Sequence, residues 1–259
     1  AAERIARVEA LDVGKPIALV PGEIASAVDK IRFYAGASRL LGGASAGTYR
    51  LPFSSYQRRE PVGVVAALAP WNYPFALAIW KVVPALAAGN AVVLKPSPET
   101  PLSALLLGHL AADVLPPGVL NVVTGGAETG AALVRHPDVA MVTLTGGTAT
   151  GRAVMRTAAE GVKRLVLELG GNAPVVLFDD ADLGRFRAAY FMAMFRNSGQ
   201  DCHAASRVYA PRGMVDAVAD VIRDVIRDDV RAGDNLDPAT TMGPLVSRAH
   251  RDRVASLVD

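Results

Sequence analysis

Residues 62–95 read VGVVAALAPWNYPFALAIWKVVPALAAGNAVVLK, an apolar run, a helical segment and a second apolar run in succession. Gly63–Ala69 is a continuous run of apolar, β-compatible residues of strand length. Ala76–Ala88 has helical composition, and Ala91–Leu94 is a second short apolar run that ends at Lys95. The segment Val62–Trp80 carries no charge and is long enough to suggest a membrane span. Pro70 and Pro74, with Asn72 between them, break that reading, and its first part is strand-like.

The same alternation continues outward. Leu120–Val123, Met141–Leu144 and Leu165–Leu167 are further apolar runs, with helix-like segments at Leu102–Val114, Glu128–Val134 and Ala149–Ala159 between them. Fully apolar strands alternating with helices predict a parallel sheet covered on both faces: an α/β, Rossmann-like fold. Upstream, a helix with Ile5, Val8 and Leu11 on its apolar side is ended by Gly14 and Pro16. A second helix follows, with Val28, Ile31, Ala35 and Leu41 near one face. Residues 42–50, rich in Gly, Ala and Ser, read as a loop, and 51–61 as extended chain. After Gly171, Asp182 or a neighbour is placed to cap a helix running to Phe195. Val218, Val221, Ile222 and Val225 mark another amphipathic helix. This region reads as part of a second α/β domain. There is no repeat or low-complexity tract. Both ends read as cut: Ala1 stands where a starting Met is absent, and Asp259 falls within a helical pattern.

Composition narrows the function. Of 259 residues 51% are apolar, enough for a sizeable core. The net charge is +2 with the two signs interspersed, which argues against nucleic acid or a membrane surface as partner. One cysteine permits no internal disulfide and fits a reducing, cytoplasmic setting. No signal peptide is visible.

That cysteine, Cys202, lies in a polar, glycine-containing stretch after a helix and is expected to be accessible. It is either incidental or, as a thiolate, a nucleophile. Glu168 sits in a strand expected to be buried. It is either paired with Lys163 or Arg164, or a base with a raised pKa. Asn72, fixed between two prolines, offers an amide N–H suited to an oxyanion, or else satisfies its own turn. Lys95 could meet a ribose or phosphate, or end a strand in solvent. The clusters Gly125-Gly126…Gly130 and Gly146-Gly147…Gly151 follow strands and could meet a pyrophosphate, although neither is a G-x-G-x-x-G fingerprint. His109, His136, His203 and His250 form no ligand spacing with Cys202, so no metal is expected. His203 is expected to point away from Cys202 in extended chain.

Taken together, Pro70-Trp-Asn-Tyr-Pro74, Lys95-Pro-Ser-Pro-Glu-Thr-Pro101, Leu167-Glu-Leu-Gly-Gly171 and Phe195 through Gly199-Gln-Asp-Cys202 resemble the aldehyde dehydrogenase superfamily in order and approximate spacing. The resemblance covers essentially the whole chain. It implies that Cys202 attacks an aldehyde and that Asn72 and the Cys202 backbone N–H stabilise the oxyanion. Hydride passes to a nicotinamide, and Glu168 activates water to cleave the thioester. It implies NAD as cofactor, with NADP not excluded. Lys95 would lie at the adenosine ribose, and Trp71, Gly126, Gly146, Gly147, Gly151 and Leu169 against the cofactor. Arg58–Val65, Leu144–Gly151 and Asn197–Cys202 look closest to the γ-aminobutyraldehyde and betaine aldehyde dehydrogenases, so an ω-aminoaldehyde is the expected substrate.

The chain departs from the family in places. Pro98 stands where many NAD-preferring members carry a glutamate, with Glu99 one residue further on, and Gly147 stands where serine is common. Family members are nearly twice as long. The resemblance divides the chain into a cofactor domain (1–45 and 62–170), part of an oligomerisation arm (46–61) and a truncated catalytic domain (171–259). The parent is expected to be a homodimer or homotetramer. Two other readings stand: a non-catalytic cofactor-binding fragment, and a thiol hydrolase using Cys202 and Glu168. The glycine clusters within the strand–helix alternation argue against the hydrolase.

Overall fold

A computed structural model describes residues 1–258. Two helices come first, α1 (Ala2–Val13) and α2 (Val20–Ala37). Gly14 closes α1 in the left-handed conformation at φ +88°, and its backbone passes so close to Pro244 that a side chain there would collide. The strands β1 (Ser45–Arg50) and β2 (Phe53–Tyr56) then form an antiparallel hairpin. The alternation read from the sequence follows: β3 (Val64–Leu68), α3 (Pro74–Ala87), β4 (Ala91–Lys95), α4 (Leu102–Ala112), β5 (Leu120–Val122), α5 (Ala127–Arg135), β6 (Val139–Gly146), α6 (Thr148–Ala159) and β7 (Arg164–Leu169). Next come β8 (Pro174–Val176), α7 (Leu183–Met194), β9 (Arg207–Tyr209), α8 (Val215–Asp229) and α9 (Arg248–Ala255).

The five strands β3–β7 form one parallel sheet in the order β5-β4-β3-β6-β7. The first strand of the series is central, and the order reverses direction between β3 and β6. In open sheets of this kind ligands bind beyond the carboxyl ends of the strands at that switch point. Side-chain alternation along β3 builds both layers. Val65 and Ala67 face Ala78 and Val82 of α3 and Ala104 of α4, whereas Ala66 and Leu68 pack with Val134 of α5 and with Val154 and Ala158 of α6. Because β3 and β4 are covered on both sides, they read as unbroken apolar runs.

A third cluster joins Ile5, Ala6 and Ala10 of α1 and Val20, Ile24 and Ala27 of α2 to Phe75 and Ile79 of α3. A fourth, Phe186, Tyr190, Ala205, Val218 and Val225, lies under α7 and α8 beside the short parallel pair β8–β9. Asp182 caps α7, its carboxylate accepting from the N–H groups of Gly184 (2.8 Å) and Arg185 (3.1 Å).

Several expectations need correction. Residues 45–50, read as loop, are a strand. Its Gly, Ala and Ser residues carry no alternation because the whole hairpin is exposed, Tyr49 and Leu51 at 85% each. The buried faces of the first two helices are Ile5, Ala6, Glu9, Ala10 and Val13, and Val20, Glu23, Ile24 and Ala27. Leu11, Ile31 and Leu41, expected inside, are exposed. The apolar periodicity was misleading because each buried face carries a carboxylate. The pair β8–β9, three residues per strand, is too short to leave a pattern. Finally, β7 is an edge strand. Leu165, Leu167 and Leu169 point to the core while Arg164, Val166 and Glu168 face outward, so Glu168 is exposed and not buried.

Candidate active site

All five strands of the main sheet end on one side, and Trp71, Asn72, Lys95, Gly126, Gly146, Gly147, Glu168 and Leu169 lie at or just beyond those ends. Trp71 and Asn72 follow β3, Lys95 ends β4, Gly126 follows β5, Gly146 and Gly147 close β6, and Glu168 and Leu169 close β7. The Cys202 loop reaches the same edge from α7.

Asn72 is held by that loop. Its Nδ2 donates to the Gln200 carbonyl (3.1 Å), and its own carbonyl accepts from Asn197 Nδ2 (2.9 Å). An amide nitrogen carries two hydrogens, so one remains for a ligand. The backbone before Cys202 is tightly wound: Asn197, Ser198 and Gly199 all have left-handed φ (51°, 59° and 74°). For the two non-glycine residues this costs of order 1 kcal/mol or more each, and such conformations persist only where the surroundings enforce them. The enforcing contacts are visible. Asn197, fully buried, also approaches the Gln200 carbonyl (3.3 Å). Ser198 Oγ donates to the Gly243 carbonyl (2.8 Å). The Gln200 side chain donates to the Asn197 carbonyl (3.0 Å) and accepts from Val246 N–H (2.9 Å). Asn197 and Gln200 were not foreseen as site residues. Their signal was a run of small and amide side chains directly before the only cysteine.

Cys202 is exposed, as expected. Desolvation of its sulfur, and next the Asp201 carboxylate, push the thiol above its usual pKa; Glu168 adds to this in the same direction. Glu168 is therefore within electrostatic reach of Cys202. The loop after β7 approaches too, since a Cβ built on Gly171 would lie 3.7 Å from the Cys202 carbonyl oxygen.

His203 does not point away from Cys202 in extended chain. Asp201 N–H donates to the Gly199 carbonyl (2.8 Å) and Ala204 N–H to the Asp201 carbonyl (3.3 Å), so the segment turns. His203 Nδ1 lies 3.7 Å from Cys202 Sγ and 2.7 Å from Asp201 Oδ1. The other Asp201 oxygen accepts from the Tyr73 hydroxyl (2.8 Å). His250, expected on the surface, packs its ring on Trp71 with centroids 4.6 Å apart, and burial lowers its pKa.

Behind the site lies a buried charge cluster that sequence reading missed. Lys15, fully buried, donates to Glu23 (2.8 Å), lies 3.6 Å from Glu9 and sits 4.4 Å over the Tyr73 ring. Glu23 also accepts from Arg196 (3.1 Å), the residue heading the wound segment. Glu9 accepts from Phe75 N–H (3.1 Å) in the first turn of α3. The cluster therefore ties the Asn72 turn to the Cys202 loop.

Lys81 was missed as well, although a lone cation in an apolar helix was a usable signal. It is buried on α3, donates to Thr143 Oγ1 (3.2 Å), and burial lowers its pKa to about 8 against the pull of Glu168. Between pH 8 and 10.5 the unfolded chain holds a proton that the folded chain has released, so stability rises with pH across that window. The rise is expected to be roughly 2–3 kcal/mol, and Lys81→Met to remove it. Urea midpoints at pH 7.5 and 10 test this. If the two proteins gain equally, the lowered pKa is wrong.

On the other side of the edge, Lys95 is buried and donates to the Pro96 and Gly125 carbonyls (2.7 Å each), which leaves one ammonium hydrogen free. It is not a solvated strand end. Gly126 and Gly147 are the N-cap residues of α5 and α6. Neither helix start has a side-chain cap, and nothing lies within 4 Å of where either Cβ would be. Open helix N-termini with a cation beside them suit a dinucleotide's phosphates and ribose. Gly151 has another role: Leu169 packs so closely on it that a Cβ would lie 2.7 Å away, and this close contact seats α6 on β7. No described helix is long and apolar enough to cross a membrane.

Comparison with known proteins identifies the family. The family model described as "Aldehyde dehydrogenase family" matches residues 1–259. An NAD-dependent aldehyde dehydrogenase from Sinorhizobium meliloti is 39% identical with a TM-score of 0.96, over 99% of this chain and 51% of that one. An NADP-dependent enzyme from E. coli is 38% identical with a TM-score of 0.95, over 98% and 53%. A betaine aldehyde dehydrogenase from Staphylococcus aureus, solved with NAD+, is 34% identical with a TM-score of 0.96, over 99% and 51%. The chain spans about half the length of these proteins. With the family's pattern matched from end to end and the same arrangement of sheet and loops, the chain belongs to the aldehyde dehydrogenase family.

Proposed function

We propose that the whole protein oxidises an aldehyde to a carboxylate with NAD or NADP, using Cys202 as nucleophile. The observation that carries this is the joining of Asn72 to the Cys202 loop. The amide that would receive an oxyanion is bonded to the carbonyl two residues before the sulfur.

Cys202 Sγ attacks the carbonyl carbon, and the thiol proton leaves to the water that reaches the exposed sulfur. The remaining Nδ2 hydrogen of Asn72 and the Cys202 N–H receive the oxyanion. A nicotinamide cofactor, when bound, would supply the hydride acceptor for conversion of the Cys202 thiohemiacetal to a thioester. Glu168 then takes a proton from water as that water attacks the thioester carbon and the Cys202 thiolate leaves. Lys95 and the amides at the starts of α5 and α6 would hold the cofactor. The glutamate that would bind ribose hydroxyls is replaced by Pro98, so NADP is accepted beside NAD.

The substrate is an ω-aminoaldehyde such as 4-aminobutanal, on the likeness of Arg58–Val65, Leu144–Gly151 and Asn197–Cys202 to enzymes of that class. The whole protein is a cytoplasmic homo-oligomer in which the exposed hairpin β1–β2 joins subunits. Reduced nicotinamide is followed with each cofactor and a panel of ω-aminoaldehydes, betaine aldehyde and simple alkanals. The highest kcat/KM is expected for an ω-aminoaldehyde. Preference for betaine aldehyde would overturn the substrate, and no reduction with any aldehyde would overturn the activity. Glu168→Gln is expected to slow deacylation about 10²–10⁴-fold and leave a burst of reduced cofactor; an unchanged steady-state rate contradicts its role.

A further inference from the structure

We propose that Asp201, Cys202 and His203 form a binding site for a borderline-soft divalent cation of the zinc class, and that its occupancy reversibly blocks Cys202. The first half stands on the side chains alone. The second rests on Cys202 being the nucleophile.

Three consecutive residues do not usually share a ligand. Here the turn from Gly199 to Ala204 folds them onto one point, and one ligand atom from each lies within 4.8 Å of the other two. Zinc bonds of about 2.3 Å to sulfur and 2.0–2.2 Å to nitrogen or oxygen, at tetrahedral angles, put sulfur and nitrogen about 3.6 Å apart and nitrogen and oxygen about 3.4 Å apart. The structure has Sγ and Nδ1 at 3.7 Å, and Nδ1 and Oδ1 at 2.7 Å. The sulfur and imidazole nitrogen are therefore already at zinc-ligand spacing, the nitrogen–oxygen pair opens by about 0.7 Å on binding, and the sulfur and carboxylate lie within 4.8 Å of each other.

The donor set selects the metal. Thiolate, imidazole and carboxylate suit zinc and its neighbours, whereas calcium and magnesium take oxygen. Three protein ligands leave a fourth position for water. Cys202 and His203 are exposed, which gives the ion a way in, while the Asp201 side chain is only 6% exposed. That carboxylate is already oriented as a second shell would orient it. Its far oxygen is held by the Tyr73 hydroxyl (2.8 Å), and its near oxygen by His203 N–H (3.1 Å). On binding, the metal–sulfur bond forms and the thiol proton leaves to solvent. The Nδ1 proton that His203 shares with Asp201 also leaves to solvent, or reappears on Nε2, so that a neutral imidazole supplies its Nδ1 lone pair, and no electron is transferred. A sulfur so engaged cannot attack a carbonyl, and removing the ion restores it.

The test uses Co2+ as a spectroscopic probe and Zn2+ as competitor, on the whole protein. One Co2+ per chain is expected to give a thiolate-to-metal band in the near ultraviolet. Cys202→Ser should abolish the band, His203→Ala should weaken Co2+ binding at least about 10-fold, and Zn2+ should displace it. A missing band, or a band unchanged in His203→Ala, overturns the site and says nothing against Cys202 as nucleophile. If the site holds, Zn2+ is expected to stop turnover reversibly by chelator. His203→Ala, compared with its own zinc-free rate, should need at least about 10-fold more Zn2+ for half-inhibition. Equal Zn2+ sensitivity of the two proteins overturns the block.

Discussion

Cys202→Ala is expected to reduce turnover of the whole protein by at least ~10⁴-fold while leaving its fold and cofactor affinity intact. The reasons are local. The sulfur is exposed and its polar neighbours are His203 and the Asp201 carboxylate, so its loss opens no core cavity. The wound backbone before it is held by Asn72, Asn197, Ser198 and Gln200, none of which bonds to the sulfur. Circular dichroism and nucleotide titration should match the unsubstituted protein while reduced nicotinamide no longer forms. Turnover within about tenfold of the original rate would mean that another group attacks the aldehyde.

The largest effect on stability is expected at Lys15. Lys15→Met leaves Glu9 and Glu23 facing each other without their shared cation, both almost wholly buried. Removing one member of a buried charge group costs about 3–5 kcal/mol. Burial already pushes the Glu9 carboxyl above its usual pKa in the presence of Lys15. The triple change Lys15→Met, Glu9→Gln, Glu23→Gln is expected to recover much of the loss. It would still leave Arg196 without its carboxylate and so loosen the Cys202 loop. Urea unfolding reads the first effect, and the rate of Cys202 alkylation by iodoacetamide reads the second. A Lys15→Met protein as stable as the original would show that the cluster is not a connected unit.

The sheet was legible in the sequence because β3, β4 and β6 lie in the interior of the layer. Strands covered on both faces leave short apolar runs between helices, and residues 62–95 display that unit complete. The exposed hairpin and β8–β9 left no such trace. The charges behind the site were illegible for a related reason. Glu9, Lys15 and Glu23 look like solvated side chains until the fold shows that each is another's partner. Glu168, Asn72 and Cys202 stood out by residue type and neighbours, but the setting of Glu168 was misread because nothing in its own strand says that β7 ends the sheet. The turn that gathers Asp201, Cys202 and His203 depends on Gly199 and on contacts with Tyr73, Asn72 and Gly243, distant in sequence.

The central claim is that an acyl group passes through Cys202, with Glu168 needed to release it. Glu168→Gln protein, mixed with cofactor and aldehyde and quenched in acid after one turnover, is digested and the peptide containing Cys202 is weighed. This peptide is expected to carry the acyl group as a thioester, in an amount matching the burst of reduced nicotinamide. Reduced nicotinamide formed while Cys202 stays unmodified, or an acyl group found on another residue, would contradict it.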